Sequence, residues 1–297
     1  MIVCSKKEKI NYYFFLVPAF LVFSIFIFWP LIQSLYLSFF KYNIININTP
    51  QFVGLKNYNF ILHDQIFWTS IVNTVIYVLG TIPLKLLFGL LLALAVNSKF
   101  IKFKTFYRTS FYMPVICSMV AVSIVWSLLF NPGPNGIVNI ILSKFKINPL
   151  GWGSDSNLSL LTVMLLGIWK EIGYVMMIYL SGLMAIPQDI YEAASLDPVS
   201  SFQKFMYLTL PLLRPTTIFL LITEMIGSFQ VFTPIYVITG GGPGYSSTTI
   251  INYLYNKGFQ EYSMGQACAV AYVLFAVLLL LTILQNKFSK SEEVSYD

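Results

Sequence analysis

Six apolar runs, near residues 12–40, 69–97, 106–130, 159–184, 215–238 and 264–285, dominate this sequence. A helix needs about 20 apolar residues to cross the hydrocarbon of a bilayer, and each run reaches that length. Lipid offers no water to backbone groups, so spanning segments close their hydrogen bonds internally, as helices or as barrels. Runs this long argue for helices. Pro18, Pro30, Pro83, Pro114 and Pro234 fall inside them, which spanning helices tolerate because neighbours satisfy the freed carbonyls. Charged residues make up 10% of the 297 positions, against roughly 25% in a soluble domain. Too few polar residues exist to coat a soluble globule. The expected fold is an all-α membrane protein with six transmembrane helices, forming one transmembrane domain over residues 1–297.

The basic residues orient that domain, because cytoplasmic loops carry an excess of lysine and arginine. With both termini cytoplasmic, the inner side collects Lys6, Lys7, Lys9, Lys99, Lys102, Lys104, Arg108, Lys204, Arg214, Lys287 and Lys290. The outer loops hold Lys41, Lys56, Lys144, Lys146 and Lys257, while Lys85 and Lys170 lie within spans. The first run exceeds the ~7–15 apolar residues of a signal-peptide core, so it reads as a span. No basic stripe interleaved with aromatics supports nucleic-acid binding. Cys4, Cys117 and Cys268 are far apart, with no metal or disulfide spacing. The glycine-rich outer segments, NPGPNG at 131–136 and GGGPG at 240–244, read as turns, since neither continues into the Gly-Lys-Ser/Thr of a phosphate loop.

Residues 187–215 are too polar to span and too apolar to be a free loop. Pro187 and Asp189 suit the start of a helix, with Ile190, Ala193 and Ala194 at helical spacing on one face. Asp197 followed by Pro198 reads as the N-cap and first residue of a second helix, with Phe202, Phe205 and Met206 as its apolar stripe. Pro211 and Pro215 close the segment. The expectation is a cytoplasmic helix–turn–helix hairpin, with small alanines on a face that another backbone can approach.

Within that hairpin, Glu192-Ala193-Ala194, Asp197, Phe205 and Thr209-Leu210-Pro211 resemble the EAA loop of ATP-binding-cassette importer permeases. Pro198 stands where that family usually has glycine, which implies a stiffer hairpin. Residues 51–58 (QFVGLKNY), Asn73-Thr74, Trp126 and 239–243 (TGGGP) are similar to signatures of the carbohydrate-uptake subfamily. The resemblance implies a bacterial cytoplasmic-membrane subunit that pairs with a second permease and receives its solute from an extracytoplasmic binding protein. Two partner ATPases, which bind ATP and Mg, would dock on the coupling hairpin at 187–211. Glu192, Ala193, Ala194, Asp197, Pro198, Leu210 and Pro211 are the expected coupling residues. No cofactor or metal is expected in this chain, and no catalysis.

Ionisable groups inside spans cost about 2.5–3.5 kcal/mol each on insertion scales, so they mark interior or wet positions. Lys170 and Glu171 fall near the middle of the fourth run and Glu224 near the middle of the fifth. An interhelical ion pair, for example Lys170 with Glu224, and a substrate role are both open readings. The family resemblance places candidate pathway residues at Trp169, Glu171 and Tyr174, and at Ser228 and Gln230, with Val231 unable to hydrogen-bond a sugar. Aromatic faces stack on sugar rings, and carboxylates or amides bind the hydroxyls. Other readings are a permease for glycerol phosphate or a polyol-like solute, and an ion-coupled secondary carrier using Glu171 and Glu224. Such a carrier usually shows repeats, and this sequence has none. The single histidine, His63, has no nucleophile or ligand spacing nearby to support an intramembrane enzyme.

Overall fold

A computed structural model describes residues 6–45, 50–98, 100–195 and 200–290. Within them the chain is mostly helical. Four helices, Phe15–Ser38, Gln65–Asn97, Ser159–Ala185 and Met264–Gln285, are long and apolar enough to cross a membrane. Two bent pairs bring the number to six if each pair counts as one span. The chain divides into two compact units, Met1–Asp64 with Leu254–Phe275, and Gln65–Tyr253 with Ala276–Asp297.

In the first unit, α1 (Lys6–Phe23) and α2 (Trp29–Ser38) are joined by a π-helical turn, Ser24–Phe28. Pro30 has no N–H to return to the carbonyl of Phe26, which accounts for a widened turn just before it. Two short strands, β1 (Phe40–Lys41) and β2 (Gln51–Phe52), pair antiparallel with Phe40 opposite Phe52. Then α3 (Lys56–His63) brings Asn57 back to the end of α2, where its amide donates to the carbonyls of Ser38 and Phe40 at 2.8 and 2.9 Å. Lys257 is buried here, 2.9 Å from Glu261 and 3.5 Å from Asp64.

The second unit is built on α4 (Gln65–Asn97) and a later helix of similar length. Between them lie α5 (Lys104–Ile116), α6 (Met119–Leu129) and the short helix α7 (Ile137–Lys144), before α8 (Ser159–Ala185). Glycines allow these helices to meet closely. A Cβ at Gly89 would run into the Val175 side chain, and one at Gly173 into the backbone of Phe111 and Tyr112. The chain continues through α9 (Gln188–Ala193), α10 (Ser201–Lys204), α11 (Leu210–Leu212), α12 (Arg214–Phe229) and α13 (Ile250–Tyr255) to α14 (Met264–Lys290). The core, on Leu90, Ala93, Val175, Met176, Tyr179, Leu213 and Leu220, joins α4, α8 and α12.

Two expected spans depart from single straight helices. The run at 106–130 is broken between α5 and α6 with a 94° bend. Cys117 and Ser118 adopt extended backbone there, and the three carbonyls of Pro114, Val115 and Cys117 turn to one buried cation, Lys170. The run at 215–238 stops being α-helical after Phe229. Pro234 cannot donate to the carbonyl of Gln230, and its ring crowds that position, so residues 230–232 leave the helix before a π-helical turn, Ile235–Thr239.

Candidate functional site

Lys85, Lys170, Glu171 and Glu224 lie well inside helices of the second unit, and they separate into two sets. Lys170, on α8 and 7% exposed, donates to the carbonyls of Pro114, Val115 and Cys117 at 3.0, 3.1 and 3.0 Å. The C-terminus of α5 has orphan carbonyls and the negative end of the helix dipole, and an ammonium answers both. Lys170 is therefore a structural cap and not the partner of Glu224. That partner is Lys85, on α4 and 1% exposed. Its ammonium contacts Glu171 of α8, Glu224 of α12 at 3.0 Å and the Ser228 hydroxyl at 3.4 Å. Three N–H bonds meet three acceptors, so the donor capacity of Lys85 is full.

This cluster borders a cavity of about 170 Å³. Its lining includes Tyr77, Lys85, Glu171, Ser228 and Gln230, together with Val231 and Phe232, where the backbone has left the helix, and Thr233 and Pro234. Non-helical backbone at membrane depth is tolerated where it lines a cavity or is buried in protein. The Val231 carbonyl freed by the break accepts from the Thr249 hydroxyl at 3.0 Å. Helix break, polar lining and charge cluster thus coincide.

Of the pathway residues expected from sequence, Glu171, Ser228 and Gln230 share this cavity. Trp169 and Tyr174 do not line it. Trp169 is 44% exposed and lies against Trp126, with ring centroids 5.4 Å apart. Tyr174 packs half-buried on the apolar core of α4, α8 and α12. Trp169, two residues before Glu171, points to another face of α8, while Tyr174, nearly a turn further along the helix, is taken up by that core. Sequence reasoning left Lys85 and Tyr77 without a role. The signal for Lys85 was available: two buried carboxylates demand a cation, and only two lysines lie inside spans.

The hairpin segment carries a second feature. Pro187 sits at the N-cap of α9 and Asp189 in its first turn. Ile190, Tyr191, Phe205 and Leu210 turn inward onto the core, while Glu192, Ala193, Pro211 and Phe202 are exposed and Ala194 is half-buried. The hydroxyls of Tyr191 and Thr209 are hydrogen-bonded at 3.0 Å, and Lys204 donates to Ser195 at 2.9 Å. Two cross-links therefore hold the arms together. Asp197 and Pro198 lie outside the described residues. The second helix that is described begins later than those residues, with Ser200 as N-cap in a capping box with Gln203. A cleft of about 600 Å³ opens beside α9, lined by Asn97, Lys104, Met184, Gln188, Tyr191 and Glu192 among others.

Residues 73–291 match the family model described as "Binding-protein-dependent transport system inner membrane component". The chain belongs to that family. Among relatives of this permease, the probable ABC transporter permease protein YurN of Bacillus subtilis (strain 168) is 34% identical, covering 96% of this chain and 98% of that one. The arabinooligosaccharides transport system permease protein AraP of the same organism is 32% identical, over 96% and 90%. A solved bacterial ABC transporter involved in the import of the acidic polysaccharide alginate superposes with a TM-score of 0.85 at 23% identity, covering 97% of this chain and 98% of that one. At that identity the likeness shows a shared fold.

In the permease, the Asn73-Thr74 pair holds the segment that follows the glycine-rich loop, and the Thr248 hydroxyl in turn donates to the Gly241 carbonyl at 2.8 Å. The Asn73 amide donates to the carbonyls of Tyr245 and Thr248, both at 3.0 Å. The Thr74 hydroxyl accepts the backbone N–H of Ile250 at 2.9 Å. Gly241, at φ +88°, takes a conformation open to glycine, and a Cβ there would strike Thr248 and Asn252. The glycine-rich loop is thereby locked to α4 as a rigid turn.

Proposed function

We propose that this chain forms, with a second permease, the translocation pathway of an ATP-driven, binding-protein-dependent importer of a sugar or oligosaccharide. The single observation that carries this reading is the match to relatives along nearly the whole chain, which include AraP, a permease named for arabinooligosaccharide transport. The polar cavity at the break after α12 supports a solute pathway. Carboxylate, amide and hydroxyl groups converge there at the depth of the spans.

The bent pairs α5 with α6, and α10–α11 with α12, are each one crossing in this reading, which gives six spans in one transmembrane domain. Both termini and the hairpin at 187–211 face the cytoplasm. The hairpin is the EAA coupling element, with Glu192, Ala193, Ala194, Leu210 and Pro211 in or beside the docking face. Asp197 and Pro198 belong to its turn. Glu171, Ser228 and Gln230 contact the solute. Two ATPases bind ATP and Mg and hydrolyse it, and an extracytoplasmic protein delivers the sugar. Purification of the tagged full-length chain from its native membrane tests the assembly. A second permease and an ATPase are expected to co-purify, and a chain that purifies alone under conditions that preserve other importers would overturn it.

A further inference from the structure

We propose that the cavity beside α12 is an anionic selectivity site, which admits uncharged or amino-bearing sugars and disfavours uronate-type anionic ones. The proposal rests on the sugar-permease reading above and adds the charge class of the solute. It follows from how the cluster divides its charges between protein and cavity.

Lys85 is 1% exposed, with all three N–H bonds committed to Glu171, Glu224 and Ser228. Glu224 is 6% exposed. Glu171 alone is open, at 38% of its side chain, and it lines the cavity. A passing solute therefore meets a carboxylate, while Lys85, the one cation among the described lining residues, has no donor left for an anion. One ammonium faces two carboxylates. With both carboxylates ionised the cluster is net negative, and with one proton between them it is neutral, so it offers an anion no net positive charge in either case. The other polar lining groups, Tyr77, Ser228, Gln230 and Thr233, have no positive charge to offset it. In a site walled by protein, the field of the exposed Glu171 carboxylate is screened less than in water, and a cavity that presents one sign concentrates counter-ions.

The test reads that field directly, without knowledge of the native sugar. Cys4, Cys117 and Cys268 are replaced by serine, and Gln230→Cys supplies a thiol on the exposed rim of the cavity. In the assembled full-length complex, labelling rates are measured for cationic 2-aminoethyl and anionic 2-sulfonatoethyl methanethiosulfonate. Their ratio is divided by the same ratio on a free thiol in solution. We expect the cationic reagent to be favoured by at least about tenfold beyond the free-thiol ratio, and Glu171→Gln to bring the ratio back toward it. A normalised ratio at or below unity overturns the proposal, as does a site that neither reagent reaches. So does a cationic preference that Glu171→Gln leaves unchanged. Labelling needs no transport, so a failure of ATP-dependent sugar uptake would count against the sugar-permease reading and leave this measurement to stand or fall separately.

Discussion

A buried ammonium has three N–H bonds to satisfy, and the two lysines inside spans meet that demand in different ways. Lys85 takes two carboxylates and a hydroxyl, and Lys170 takes three main-chain carbonyls. Removing one side of a buried pair leaves an uncompensated charge and costs about 3–5 kcal/mol, whereas removing both sides can be nearly neutral. Lys85→Met is therefore expected to lower the melting temperature of the detergent-solubilised complex strongly, and Lys85→Met with Glu224→Leu to recover much of the loss. Equal destabilisation in single and double variants would deny the pairing. Lys170→Met frees three carbonyls, each of whose bonds to a charged donor contributes roughly 1.5–3 kcal/mol. It is expected to destabilise the complex, while leaving the charge preference at Gln230→Cys intact, because Lys170 contacts none of the cluster. The sequence made the burial of these charges legible through their cost in lipid, but not their partners. Pairing depends on which faces of α4, α8 and α12 meet, and a one-dimensional pattern does not specify that.

At the scale of elements, apolar length marks the spans well and proline marks their breaks imperfectly. Pro83 lies within an uninterrupted α4, whereas Pro114 and Pro234 lie at or beside interruptions. The difference comes from what can replace the lost hydrogen bonds: Lys170 at one break, Thr249 at the other. Those replacements come from far along the chain, so local reading treated the two runs as continuous. Short helices in the segment at 187–211 were legible from local spacing and prolines, and α9 and α10 lie there, while the expected turn at Asp197 and Pro198 falls outside the described residues. Which of the segment's residues face outward was not legible. Ala193 and Glu192 are exposed, while Ile190, Tyr191 and Phe205 pack on the core. Ala193→Trp is thus expected to block ATPase docking by bulk without disturbing the core, and Glu192→Ala to weaken it through loss of a charge-assisted contact worth roughly 1.5–3 kcal/mol. ATPase co-purification measures both. Tyr191→Phe removes the bond to Thr209 and is expected to loosen the arms by about 1 kcal/mol, which would lower coupled ATPase activity more than docking. Full co-purification with Ala193→Trp would remove the hairpin from the interface.

For the whole molecule, the account requires a sided assembly that spends ATP to move a solute. Sidedness is checked with single cysteines at Ser154 and Ser200, both exposed, in a background without native cysteines. Ser154→Cys should react with an impermeant reagent added outside intact cells, and Ser200→Cys only after permeabilisation. The reverse pattern would invert the topology. The bias of basic residues is the basis in the sequence for the orientation that this labelling tests, and family membership carries the transport class. The charge proposed for the cavity depends on the engagement of Lys85 by Glu171, Glu224 and Ser228, contacts between helices that no local pattern specifies. The central claim is tested most directly by uptake of radiolabelled short neutral oligosaccharides, beginning with arabinotriose. The purified complex is reconstituted in proteoliposomes, with its binding protein outside. Accumulation that requires both enclosed ATP and the binding protein is the predicted result. Accumulation that persists without ATP and collapses with a protonophore would contradict the account.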